Sequence, residues 1–157
     1  MEIKFSPEEL NEIGNIKSKY PTVESAIMPI LWLSQNKFGC ISDDVIVYLS
    51  TLLNISASKI EGVVSFYTMF HRKPVGKYHL QICTNVSCML KDGIKLFNYI
   101  SDKFKIGNME TTPDGKFSLE EVECMGACGG SPMIAINEDY YENMNIVLID
   151  TLLAKLQ

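Results

Sequence analysis

Apolar residues recur at helical spacing through the first part of the chain and switch to strict alternation near residue 78. Ser6, Pro7 and Glu9 form a capping box with proline at the first helical position, which predicts a helix from about 7 to 18. Pro21 closes that region. Val23, Ala26, Ile27, Ile30 and Leu31 then repeat at helical spacing towards Gly39, with Pro29 as a candidate kink. Ser42 can cap a third helix whose inner face is Val45, Ile46, Leu49, Leu52 and Leu53. Ser56, or Ser58 with Glu61, can cap a fourth that runs through "KIEGVVSFYTMF". The apolar and aromatic end of that helix is a candidate for docking onto a partner.

After the basic linker "HRKPVGK" the period changes. In "KYHLQIC", Tyr78, Leu80 and Ile82 alternate with His79, Gln81 and Cys83, which predicts a half-buried strand running into the first of two cysteine pairs. Beyond Cys88, the residues Leu90, Ile94, Phe97, Ile100 and Phe104 return to helical spacing, so this pair sits at a strand-loop-helix junction. "TTPDGKF" signals a turn between two short strands, "MIAI" a further strand, and "NEDYY" a hairpin turn into another. Ile149, Leu152, Leu153 and Leu156 make one face of a terminal helix. The fold class is therefore α+β, with an N-terminal helical bundle over residues 1–72 and an α/β domain over 73–157.

Composition narrows the role of the cysteines. The chain has 157 residues, 46% hydrophobic and 21% charged, enough for a real core without covalent staples. Five cysteines is an odd number, and the opening "MEIKFSPEEL" lacks a signal pattern, so a reducing cytoplasmic compartment is expected and disulfides are not. A net charge of -5 argues against nucleic acid. No stretch approaches the ~18 apolar residues of a membrane span, so direct membrane contact is not expected.

The cysteine pattern is Cys83-x4-Cys88, then 35 residues, then Cys124-x3-Cys128. Each pair follows a predicted strand, where two neighbouring loops of one sheet could bring four thiolates together. Four thiolates, two per iron, are the usual ligands of a [2Fe-2S] cluster. Gly126, Gly129 and Gly130 would let backbone N–H groups face sulfur, and Met89, Met125 and Met133 could cover the site. A structural zinc site also uses four cysteines, although x4 lies at the edge of zinc spacings. A thioredoxin-type redox pair needs Cys-x-x-Cys, which neither pair has. Cys40 has no partner at motif spacing. His79 shares the strand face of Cys83 and invites a mixed His/Cys site that four cysteines make unnecessary, and His71 in the basic linker is expected to be solvated. Glu8, Glu9, Asp43 and Asp44 fall at helix starts, where the helix dipole accounts for them. Neither GxGxxG nor a P-loop is present, so no dinucleotide or ATP cradle is expected.

The stretches "IEGVVSFYTMF", "CTNVSCML", "TTPDGKFSLEEVECMGACGGSPMIAIN" and "DYYEN" resemble, in order and spacing, the thioredoxin-like [2Fe-2S] subunits of respiratory complex I, the E-subunit family of NADH-quinone oxidoreductases. The resemblance implies a thioredoxin-like second domain with one [2Fe-2S] cluster per chain, held by Cys83, Cys88, Cys124 and Cys128. It implies electron transfer as one subunit of an NADH:quinone oxidoreductase, without activity towards NADH by this chain alone. Its implied partners are the flavin- and NADH-binding subunit and other iron-sulfur subunits of the peripheral arm, which would place it in the cytoplasm, peripheral to the inner membrane. NAD-linked hydrogenases and formate dehydrogenases use equivalent subunits. A zinc-stabilised interaction module without redox function is the alternative from another class.

Overall fold

The computed structural model describes residues 3–156, and the chain divides into two compact units, Met1–Pro74 and Val75–Gln157. The first unit is helical. Helix α1 (Pro7–Ser18) carries the expected capping box, with Glu9 N donating to Ser6 Oγ and Ser6 N donating to Glu9 Oε2. Helix α2 (Ile27–Phe38) follows a 3-10 turn over Glu24–Ala26. Pro29 thus lies in its first turn, where the missing N–H has no carbonyl to lose, and the expected interior kink is replaced by a helix start. Gly39 ends α2 at φ +79. Helix α3 (Asp43–Leu53) is capped by Ser42 Oγ accepting from Val45 N. The core is Ile13, Ile30, Leu31, Leu49, Ile60 and their neighbours.

Helix α4 (Ala57–Phe66) is shorter than its apolar pattern predicts, because Tyr67 turns to an extended backbone. The chain beyond it is held by the buried Gln35. Its Nε2 donates to Met69 O at 2.9 Å and its Oε1 accepts from His71 N at 2.7 Å. His71 is therefore half-buried and not simply solvated. Phe70 is buried against Trp32, whereas Phe66 and Tyr67 stack edge to face on the outside. Cys40 is a buried lone thiol, pushed up from its ordinary pKa by that burial.

The second unit is one five-stranded sheet, order β2-β3-β1-β4-β5, built from β1 (Tyr78–Cys83), β2 (Glu110–Thr111), β3 (Phe117–Val122), β4 (Ile134–Ile136) and β5 (Asp139–Tyr141). Strands β1 and β3 are parallel and the other pairs are antiparallel. One sheet face presents Leu80, Ile82, Leu119 and Ile134 to helices α6 (Gly93–Phe104) and α7 (Ile146–Lys155), through Leu96, Ile100, Ile149 and Leu153. The opposite face of β1 is not the solvated one that its alternation predicts. His79 and Cys83 are buried there. His79 satisfies its ring within the sheet, Nδ1 with Ser118 Oγ at 2.7 Å and Nε2 with Glu120 Oε2 at 2.8 Å. Gln81 Nε2 donates to the same carboxylate oxygen at 2.8 Å. A polar face can be buried at modest cost when its groups pair with one another.

The single helix expected after Cys88 is two. A short α5 (Val86–Leu90) is separated from α6 by Lys91 and Asp92, and Asp92 takes the left-handed conformation at φ +71. The sequence signal for this break is Asp92-Gly93, a turn dipeptide inside an otherwise helical stripe.

Candidate functional site

Parallel pairing of β1 with β3 places Cys83 opposite Val122, so the loops that leave these strands start side by side at one end of the sheet. Thr84 N extends the pairing by donating to Val122 O at 3.2 Å, and Thr84 Oγ1 donates to Glu121 Oε1 at 2.8 Å. On the other flank, Cys83 N donates to Met133 O at 3.4 Å. The first cysteine is therefore fixed from both sides by main chain. Its thiol points at Glu123 O, 3.7 Å away.

Cys88 is presented by α5, whose N-cap is Asn85. It packs with Cys83 and Met133 into a small buried cluster lined by Val122, Met125 and Ala127. Of the three methionines expected to cover the site, Met133 and Met125 do so, while Met89 faces outward. Burial pushes the Cys88 thiol up from its ordinary pKa. A backbone hydrogen bond from Met133 opposes that shift, and the neighbouring Cys83 and Cys128 thiols add to it. Cys83 and Cys128 are thus both within electrostatic reach of Cys88.

Gly93 fixes this loop from behind. A Cβ there would stand 2.7 Å from Cys83 O and 2.9 Å from Cys88 O, so the start of α6 rests directly on the backbone of both cysteines. No motif singled it out in the sequence; the signal is only that it follows Asp92 at a turn.

The second pair is held differently. Cys124 and Cys128 are exposed. Gly126, at φ +76, folds the chain back so that its N–H donates to Cys124 Sγ at 3.4 Å. Cys128 opens a 3-10 turn through Gly130. The N–H of Gly130 donates to Ala127 O at 3.1 Å, so it does not face sulfur as the glycine-rich pattern suggests. The connection from β5 to α7 closes over this turn, with Asn143 N on Gly130 O at 2.6 Å and Met144 N on Pro132 O at 2.9 Å. His79 stands up the strand from Cys83 and is occupied by Ser118 and Glu120, and Cys40 belongs to the other unit.

The sequence profile of the thioredoxin-like [2Fe-2S] ferredoxins matches residues 13–157. The chain belongs to that family. As a thioredoxin-like [2Fe-2S] ferredoxin its cofactor is a [2Fe-2S] cluster, and the donor chemistry fits: four thiols on adjoining loops, two sunk against Met133 and two at the surface. It is 38% identical over 142 residues to the second E subunit of the NADH-quinone oxidoreductase of Rhizobium meliloti, covering 90% of this chain and 84% of that protein. It is also 38% identical over 152 residues to the NADH-quinone oxidoreductase E subunit of Rickettsia prowazekii, covering 95% and 86%. Among solved structures, the ferredoxin is similar to part of an NAD+-reducing [NiFe]-hydrogenase in the air-oxidized state, with a TM-score of 0.72 at 21% identity. The match spans 83% of this chain and 22% of that one, and at this identity it speaks for the fold alone. No helix among the described residues is long and apolar enough to cross a membrane.

Proposed function

We propose that Cys83, Cys88, Cys124 and Cys128 hold the [2Fe-2S] cluster and that the chain exchanges single electrons with the flavin of an NADH-oxidising partner subunit in an NADH-quinone oxidoreductase. The observation that carries the ligand set is the register Cys83↔Val122, which starts both cysteine loops at one sheet end. When bound, the cluster supplies reversible one-electron chemistry at a site where hydride cannot be accepted directly.

The chain's own residues do the rest. Cys83 and Cys88 are held by main-chain bonds and buried beside Met133, which keeps water from that side of the site. Burial also disfavours an uncompensated thiolate at Cys88, and a metal cation would remove that penalty. The Met133 backbone directs a hydrogen bond at Cys88 sulfur, which favours its charged form, and the Gly126 N–H donates to Cys124 Sγ. Exposure of Cys124 and Cys128 leaves one edge of the site open to a docking partner.

The relatives named as NADH-quinone oxidoreductase subunits support complex I as the parent assembly. Association with other iron-sulfur subunits, and with the membrane through the complex, belongs to the same reading. The likeness to an NAD+-reducing hydrogenase keeps a second parent assembly in view, with the same task for this chain. The test is iron and acid-labile sulfide analysis on anaerobically purified protein, followed by electron paramagnetic resonance after dithionite reduction. About two irons and two sulfides per chain are expected. Zinc without sulfide would refute the reading. NADH with ferricyanide should turn over only after the flavin-bearing subunit is added.

A further inference from the structure

The buried polar face of β1 and β3 carries a directed chain of hydrogen bonds. Gly76 N donates to Ser118 Oγ at 3.0 Å, from a position where an added Cβ would stand 2.6 Å from Phe117 C and 2.8 Å from Ser118 N. With that N–H as its donor, the Ser118 hydroxyl gives its own proton to His79 Nδ1, 2.7 Å away. The ring proton then lies on Nε2, which donates to Glu120 Oε2 at 2.8 Å, and Gln81 Nε2 donates to the same oxygen. One neutral imidazole satisfies this whole chain. Its four side chains, Ser118, His79, Gln81 and Glu120, therefore hold one negative charge, and it sits on Glu120.

Neither catalysis nor stability accounts for this chain. Ser, His and Glu follow one another as in a hydrolytic triad, but Ser118 is 2% exposed, too deep for its hydroxyl to serve as a nucleophile. Glu120, at 6% exposed, is a costly group to bury, and apolar side chains in place of a buried charged network are often neutral or stabilising. Its placement supplies the reason. The register sets Gln81 beside Glu120 and Cys83 beside Val122, all on one face of the sheet. Glu120 therefore lies about 7 Å of strand rise before the level of Cys83. Glu121 is nearer in the chain to both cysteine loops but belongs to the opposite face, where it is exposed and accepts from Thr84 Oγ1 at 2.8 Å.

We infer that the buried carboxylate of Glu120 lowers the reduction potential of the [2Fe-2S] cluster, and that Ser118, His79 and Gln81 hold it in place to do so. This rests on the ligand set proposed above. One-electron reduction adds one negative charge among the four thiolates and breaks no bond, so a fixed carboxylate on the same sheet face opposes it. Two unit charges on the order of 10 Å apart, at an effective dielectric of ~20, shift an equilibrium roughly tenfold. For a one-electron couple that is about 59 mV.

The experiment is a dithionite redox titration of the cluster-loaded full chain, read by electron paramagnetic resonance, with iron and sulfide measured on every variant. E120Q removes the charge and keeps an acceptor oxygen, and should shift the equilibrium roughly tenfold towards the reduced form. E120D and H79Q keep the carboxylate and should stay within about twofold of wild type. E121Q should also stay within about twofold, because an exposed charge is screened. If E120Q does not load, H79Q/E120Q removes the same charge with paired amides in place of the ring and the carboxylate, and the same shift is expected. A wild-type potential in the charge-removing variant overturns the inference and leaves the ligand set standing. So does a lowered potential in H79Q, which would show a protonated ring cancelling the carboxylate. A shift in E121Q equal to that in E120Q overturns the role given to burial. Loss of the cluster from both E120Q and H79Q/E120Q would make the carboxylate a structural requirement and overturn the inference as well. A wild-type chain with no reducible [2Fe-2S] cluster overturns this and the proposed function together.

Discussion

Cys83 and Cys88 reach the site on a strand end and a short helix, both buried and Cys83 flanked on both sides by main-chain bonds, whereas Cys124 and Cys128 arrive on an exposed loop shaped by one left-handed glycine and one 3-10 turn. In the proposed ligand set the two loops meet a common chemical demand with unequal amounts of scaffolding. The first is positioned by the protein fold. The second has few internal bonds, Gly126 N to Cys124 Sγ and the turn around Cys128, and is held from outside by Asn143 N on Gly130 O and Met144 N on Pro132 O. A rigid half and an adaptable half suit a site that must close around an inorganic core after the chain has folded.

The strongest way to break this comparison is to remove one proposed ligand from each loop. C83S or C88S should abolish bound iron, because a buried loop cannot move to meet the shorter bond of an oxygen ligand. C124S or C128S should leave a fraction of the iron in place with a shifted visible spectrum, since an exposed loop can relax. Equal losses from both loops would show that scaffolding makes no difference. C40S is expected to leave the spectrum alone.

Glycine replacements probe the scaffold without touching sulfur. G93A should destabilise the protein by about 1–3 kcal/mol in urea unfolding, the usual cost of overpacking against backbone that cannot yield. G129A, where an added Cβ meets nothing within 4 Å, should cost almost nothing. Hydrogen exchange measures the contrast directly. Removal of the cluster should speed exchange across residues 123–131 and leave the amides of β1 slow.

The smallest effect lies away from both loops. Lys103 and then Tyr99, bonded to Asp150, hold its carboxyl below the usual carboxylate range. A lowered folded-state pKa contributes stability that is present above the unfolded value and lost as pH falls through the folded one. D150N should therefore lower the melting temperature slightly at neutral pH, with the difference shrinking below the ordinary carboxylate range. The groups are exposed and the effect is correspondingly modest. Cluster content should not change.

Much of this was legible in the chain. The capping box at Ser6, the cap at Ser42, the turn at "TTPDGKF" and the hairpin before β5 are local rules, set by residues within a few positions of one another, and the structure contains all four. The strand running into Cys83 is legible for the same reason. What was not legible depends on distant partners. Alternation in β1 shows which residues share a face, but Ser118 and Glu120, far along the chain, make it possible to bury the polar one. Gly93 looks like an ordinary turn residue until Cys83 O and Cys88 O are found against it. The glycines after Cys128 suggested donors to sulfur, and the turn geometry that gives the N–H of Gly130 to Ala127 cannot be read from composition.

β1 is the middle strand of five, with β3 and β4 on its sides, and Cys83 is its last residue. Opening a central strand requires breaking both neighbouring ladders, so its fluctuations share the free energy of global unfolding, while the exposed loop opens at far lower cost. The lifetime of bound iron is then decoupled from the lifetime of the fold. At low denaturant, chelators should strip the metal at a rate that barely changes with denaturant concentration, and the emptied chain should remain folded and ready to be refilled.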